Sequence, residues 1–178
     1  ERWAEAAEHY EHVVEMEAPP AELGRLLLRL GRLRGRRLGR REEAISDLQR
    51  ALGLSEERAE VLEELGAILL MAEAAEQALR CFEELATLAV GSRAGGARAG
   101  QVRALLALGR RPEALERVRA FRAADPIDPV VAALARELVP EDPLPEIPAG
   151  QDITPTTTAE TQALLLETTP GVPVFRAV

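Results

Sequence analysis

An acidic or amide residue followed by alanine recurs four times along the chain, each time with a larger residue four positions beyond the alanine. The sets are Glu5-Ala6 with Tyr10, Glu43-Ala44 with Leu48, Gln77-Ala78 with Phe82, and Glu113-Ala114 with Val118. Three residues further on stand Val13, Ala51, Leu85 and Phe121. Spacings of four and three put the positions of each set on one face of an α-helix. The alanines lie 38, 34 and 36 residues apart, the period of helix-turn-helix arrays in which each unit leaves an apolar face for its neighbour to bury. No other feature constrains the fold as tightly, and it predicts an all-α chain.

Composition agrees. Hydrophobic residues make up 47% of the 178 residues but aromatics only 3%, so the core is expected to be Ala, Leu and Val, with helices packed closely over small residues. No run approaches twenty uncharged apolar residues, and no membrane span is expected. The net charge of −8 argues against general affinity for nucleic acid. Every basic residue is Arg, and Lys and Asn are absent; both missing residues have A-rich codons, so a GC-rich, bacterial genome is the expected cause. The single Cys81 excludes an internal disulfide framework and a cysteine-rich metal site, and a cytoplasmic location is compatible with it. The chain opens at Glu1 inside an amphipathic pattern, and residues upstream of it are expected.

The segment 59–92 is the best preserved unit. Leu62, Leu65-Gly66 and Leu69 fall on one helix, and Ala78, Phe82 and Leu85 on the next. In this pattern 59–92 resembles a tetratricopeptide repeat along its whole length. Gly66 and Ala78 are small where the two helices of a pair approach, while Phe82 and Leu85 fill the groove toward the following unit. Ser55 before Glu56-Glu57 is expected to cap the first helix. The unit 93–128 carries Leu105, Gly109, Ala114, Val118, Phe121 and a closing Asp125-Pro126, with Val102 where the family has Gly. The unit 21–58 has Leu26, Leu27, Leu30 and Leu33, then Gly39, Ala44 and Leu48, and is about four residues longer than the ideal repeat. Residues 2–20 match a second helix alone, closed by Pro19-Pro20. Asp128-Pro129 is an N-cap followed by Pro at the first helical position and opens a capping helix over 129–139.

From Pro140 the composition changes. Seven of the 12 prolines lie in 140–178, with a Thr cluster at 154–158, which predicts an extended acidic tail. Thr157 and Glu160 are spaced as a capping box ahead of Ala163 and Leu164–Leu166, so a short helix over 157–168 is expected. Its apolar residues Leu164, Leu165 and Leu166, with Val174 and Phe175 beyond, are the expected anchors of a tail that docks rather than floats.

Between Leu23 and Arg41 stand eight arginines and no acid. Arg25, Arg29, Arg32 and Arg36 form a stripe at i, i+4, i+7 and i+11, a line of like charges that calls for acids beside it. The first expectation is that Glu60, Glu63 and Glu64 of the next unit supply them. The second is an acidic partner segment or the chain's own tail. Nucleic acid is disfavoured, because no aromatic residue interleaves the arginines to stack bases.

Other chemistry-bearing residues read as structural. The Gly-rich run Gly91–Gly100 lacks the Lys-Ser/Thr ending of a phosphate loop and is expected to be a flexible turn between units. His9 and His12 could face one metal ion from one helix, but the chain has no other histidine, and a solvated face is expected. Cys81 has no base in its own unit and reads as a structural thiol. Trp3, Ala6, Tyr10, Val13 and Val14 make an apolar face on the first helix with no partner in the repeat order. Neither a catalytic set nor a cofactor is expected.

The resemblance covers about 2–139 and implies a right-handed superhelical solenoid of antiparallel helix pairs. It further implies a non-catalytic protein-interaction scaffold that holds a peptide or partner helix on a concave face built by the first helix of each pair. Arg29, Arg36, Arg37, Glu60, Glu63, Leu70, Met71, Arg103 and Leu106 are the residues placed on that face. The subclass that clamps a C-terminal carboxylate with Lys and Asn is not matched. The alternative is that the solenoid is the regulatory or sensor arm of a larger signalling enzyme or ATPase.

Overall fold

The alanine-centred period resolves into helices of nearly uniform length. A computed structural model describes residues 2–16, 18–125 and 127–138; the expected tail helix and its anchors Leu164, Leu165, Leu166, Val174 and Phe175 lie outside them. Among the described residues there are eight α-helices and no strand. They are α1 (Arg2–Glu15), α2 (Pro20–Leu33), α3 (Arg41–Leu54), α4 (Arg58–Met71), α5 (Ala75–Leu88), α6 (Ser92–Ala107), α7 (Arg111–Ala124) and α8 (Pro129–Leu138). A π-helical turn, Arg34–Leu38, prolongs α2. Each helix packs on the next in chain order, and α6 also touches α4 and α8. Among the described residues no helix is long and apolar enough to cross a membrane.

Repetition is visible in the backbone. Gly39, Glu73 and Gly109 all take left-handed φ values, 70°, 61° and 73°, and each lies two residues before α3, α5 or α7. Glycine adopts this conformation freely, whereas Glu73 carries a steric penalty there. Five positions beyond these residues stand Ala44, Ala78 and Ala114, each with 0% exposure. Nine positions beyond stand Leu48, Phe82 and Val118, all buried.

Pairing within each unit follows from size. A Cβ on Gly66 would lie 2.8 Å from Cζ of Phe82, and one on Gly31 would lie 2.7 Å from Cγ of Leu48. Gly66 is seven residues before its left-handed turn and Gly31 eight before its own, so the π turn absorbs one extra residue and keeps the two pairs in register. The third pair carries Val102 and Val118 at the corresponding positions, both buried. A side chain replaces hydrogen at the first position, and a smaller one stands at the second.

The structure departs from the sequence reading in three places. The run expected to be a flexible turn is instead the start of α6, and only Gly91, with φ 60°, turns. Glycine disfavours a helix by about 1 kcal/mol relative to alanine, but here close approach decides. A Cβ on Gly100 would come within 2.5 Å of Cγ of Phe82, so the ring is held between Gly66 of α4 and Gly100 of α6. Second, α1 buries Ala7 (1% exposed) rather than Ala6. Its apolar face does find a partner: Ala6, Tyr10 and Val14 pack around Ala7 against Leu30 and Leu33. Helices α3, α5 and α7 are each flanked on both sides, whereas among the described residues α1 packs mainly on α2 and the π turn, and Ala6 is half-buried. Third, α4 begins at Arg58, later than Ser55 implies; the Ser55 hydroxyl accepts the Glu57 N–H at 3.0 Å in a local turn. Asp128 does cap α8, accepting the Val130 N–H at 2.8 Å.

One charged group sits in the core between α1, the π turn and α3. The Arg34 side chain is 12% exposed and donates to Asp47 and, at 2.7 Å, to Glu11. Burial pushes the Asp47 carboxyl above its ordinary value, with the hydrogen bond and charge of Arg34 opposing the rise.

Two variants test these contacts. Gly100→Ala should destabilise by about 1–3 kcal/mol, because a ring held from both sides cannot retreat and overpacking outweighs the gain in helix propensity. Gly53→Ala, at a site with nothing within 4 Å of the added Cβ, should be neutral or stabilise by up to about 1 kcal/mol; chemical denaturation measures both, and equal shifts would refute the clamp. For the charged pair, Arg34→Met should lose about 3 kcal/mol at pH 7 by stranding Asp47. An acid whose folded pKa lies above its unfolded one loses stability as pH rises through that interval. The deficit relative to the parent protein should therefore shrink as pH falls toward 4, and a constant deficit would show that Asp47 is not its source.

Candidate functional site

The arginine stripe lies on α2 and the π turn, and α4 together with Glu57 just before it answers three of its four members. Arg25 pairs with Glu57 at 3.6 Å. Arg32 donates to Glu60 at 3.0 Å and to Glu64 at 3.2 Å, and Arg36 makes two hydrogen bonds to the same Glu64 carboxylate. The Glu64 side chain is only 5% exposed, so its charge is held by guanidinium donors rather than by water. Glu63 instead accepts from Arg93 of α6 at 3.0 Å. The acids expected from the next unit are therefore present, with Glu57 added and Glu63 turned elsewhere.

Arg29 and Arg37 are both exposed, and among the described residues neither has a carboxylate partner. The Arg37 guanidinium lies over the Trp3 ring, 5.1 Å from its centroid, a cation–π contact. Trp3 is 53% exposed. A cavity of about 390 Å³ opens here between α1 and α2, lined by Trp3, Ala6, Tyr10, Leu33 and the four arginines 29, 32, 36 and 37. A second, of about 440 Å³, adjoins it along α2 and α4, lined by Arg25, Leu28, Arg29, Arg32, Glu57 and Glu60. Arg29 and Arg32 belong to both.

Of the residues placed on the interaction face from sequence, Arg29, Arg36 and Arg37 meet at the first cavity, and Glu60 joins Arg29 at the second. Leu70 and Leu106 pack partly buried against the core. Met71 is 42% exposed and Arg103 is exposed, but neither lines these cavities. Trp3 and Tyr10 were not legible as site residues. They lie on α1, far from the arginines in sequence, and only the α1–α2 crossing brings aromatic rings beside the stripe.

The other chemical candidates stay apart from this face. His9 and His12 are exposed on α1, and among the described residues no group of three His, Cys, Asp or Glu is placed to hold a metal ion. Cys81 packs partly buried against the core, and burial pushes its thiol up to about 11. In comparisons with family models, curated proteins and solved structures, nothing matches the chain.

The Cys81 environment yields a measurable consequence. The thiolate is the reactive form, so the native thiol should react with an aromatic disulfide reagent at pH 8 about tenfold or more slower than the thiol of the unfolded chain. Because the folded pKa is raised, the Cys81 contribution to stability should be present below pH 9 and lost as pH rises toward about 11. Equal rates in native buffer and in denaturant would place the thiol in water.

Proposed function

We propose that the described helices form a right-handed superhelical module of the tetratricopeptide type whose role is to hold a protein or peptide partner without chemistry of its own. The recurrence of the left-handed turn at Gly39, Glu73 and Gly109, each with a buried alanine five residues on, supports the repeat reading. A stack of helix pairs offers a continuous surface suited to an extended segment. The observation that carries the functional reading is the pair Arg29 and Arg37. A stripe needed only for folding would be neutralised throughout, yet Arg29 of the stripe and Arg37 beside it remain exposed without a carboxylate at a cavity large enough for a side chain. They favour a partner segment that carries acids.

The test is fluorescence anisotropy with labelled peptides of matched length, one set rich in Glu and Leu and the other in Lys and Leu. The acidic set should bind saturably and more weakly as salt rises from 50 to 300 mM, since exposed charge pairs are screened. Failure of every acidic peptide to bind, or equal binding of both sets, would refute an acidic partner.

A further inference from the structure

Beyond general acidity, the two adjoining cavities differ in a way that specifies a ligand. The first has apolar walls from the Trp3 indole, Ala6, the Tyr10 ring and Leu33, with guanidiniums at its edge. Four arginines line it, while the acids that engage them are Glu60 and Glu64. Arg29 and Arg37 therefore stand uncompensated on an aromatic-walled depression. The second cavity holds Glu57 and Glu60 as well as arginines, so a continuous polyanion that neutralised Arg29 would next meet carboxylates.

We infer that the Trp3–Tyr10 cavity is a specificity pocket for one large apolar side chain of a partner peptide, with a carboxylate next to that side chain paired to Arg29. The inference rests on the proposed binding role and names its chemistry. A volume of about 390 Å³ lies within the range of cavities that enclose small organic groups and readily admits a Leu or Phe side chain. An extended strand advances about 3.3 Å per residue, and positions 25 and 29 of a helix are about 6 Å apart. An acid on Arg29 therefore leaves the next one or two residues of the peptide over the mixed cavity, where Glu57 and Glu60 disfavour a second acid and accept a basic or neutral side chain. Desolvation by the bound side chain should also strengthen the Arg37–Trp3 contact. The selected sequence is apolar–acidic and then non-acidic, not an acidic run. Nucleic acid meets the opposite fate: the aromatics it needs are present here, but the neighbouring carboxylates and the net charge of −8 oppose its backbone.

Trp3 is the only tryptophan, so its emission reports on this pocket alone. Blocked peptides centred on Leu-Glu-Ser, Ala-Glu-Ser, Leu-Lys-Ser and Leu-Glu-Glu-Glu are titrated into the full chain, with oligo-uridylate as a further probe. The Leu-Glu-Ser peptide should change Trp3 emission saturably, and the other peptides and the RNA should bind about tenfold or more weakly. Arg29→Ala should lower affinity about tenfold, and Trp3→Ala should do the same when followed by anisotropy of a labelled peptide. Arg29→Glu serves as a second exposed-site variant, with circular dichroism confirming that all three keep the parent helix content. Binding of Leu-Glu-Ser that survives Arg29→Glu and Trp3→Ala would overturn the pocket while leaving the broader binding role intact. Tighter binding of oligo-uridylate, or of the poly-acidic peptide, would overturn the ligand assignment, whereas failure of all acidic peptides removes the binding role itself.

Discussion

The helices of this protein are spaced by one aromatic ring held between two glycines. Phe82 extends from α5, and its ring fills the space that a Cβ on Gly66 of α4 or Gly100 of α6 would occupy. Three helices are thereby fixed at backbone contact distance by a single side chain. Two glycines inside helices cost about 2 kcal/mol relative to alanine, which is close to what burying one Phe contributes, about 1.5–3 kcal/mol. Hydrophobic transfer alone therefore barely offsets the glycines. The margin comes from dispersion contacts between the ring and the two backbones it touches, which a wider helix spacing would forfeit. The same residue anchors a polar tie: the buried Gln101 amide donates to the Phe82 carbonyl at 3.1 Å, and Arg117 of α7 donates to the Gln101 oxygen at 2.7 Å. Position and orientation of α5, α6 and α7 thus converge on one point.

This dependence explains what could be read from sequence and what could not. Ala44, Ala78 and Ala114 were legible because a small residue at a fixed period has one cheap explanation, close helix approach, and all three are fully buried. The fourth member, Ala6, departs from the pattern because burial is a property of two neighbours, and among the described residues α1 has a packed helix on one side. The Gly-rich start of α6 was misread for a related reason. Local propensity favours a turn at Gly95, Gly96 and Gly100, while the Phe82 ring that requires Gly100 lies on another helix. The extra residue before Gly39 was visible as excess length, but its absorption in a π-helical turn, which leaves Gly31 against Leu48, depends on the packing of α2 on α3.

The candidate site divides along the same line. That α4 would neutralise the α2 stripe was legible, because a repeat places corresponding helices side by side; Glu60 and Glu64 bear this out. Periodicity puts Trp3 on an apolar face of α1, and among the described residues it is half-exposed and lies under the Arg37 guanidinium. Sequence periodicity gives the face of a helix, but not which residue on a neighbouring helix that face meets. A signal does exist: although Trp3 is far from the arginines in sequence, α1 is the helix immediately before α2, and an antiparallel pairing of the two brings the start of α1 toward the end of α2.

How a chain of net charge −8 could attract an acidic ligand is a question of range. At physiological ionic strength the screening length is about 8 Å, so an approaching peptide responds to the charges within that distance rather than to the whole molecule. Among the described residues, the side chains lining the Trp3 cavity include four arginines and no carboxylate, and the acids paired with those arginines are Glu60 and Glu64. On the proposed binding role, recognition built this way would discriminate by length of charge: a single carboxylate beside an apolar side chain would stay among the arginines, while an extended acidic run would reach Glu57 and Glu60 of the adjoining cavity.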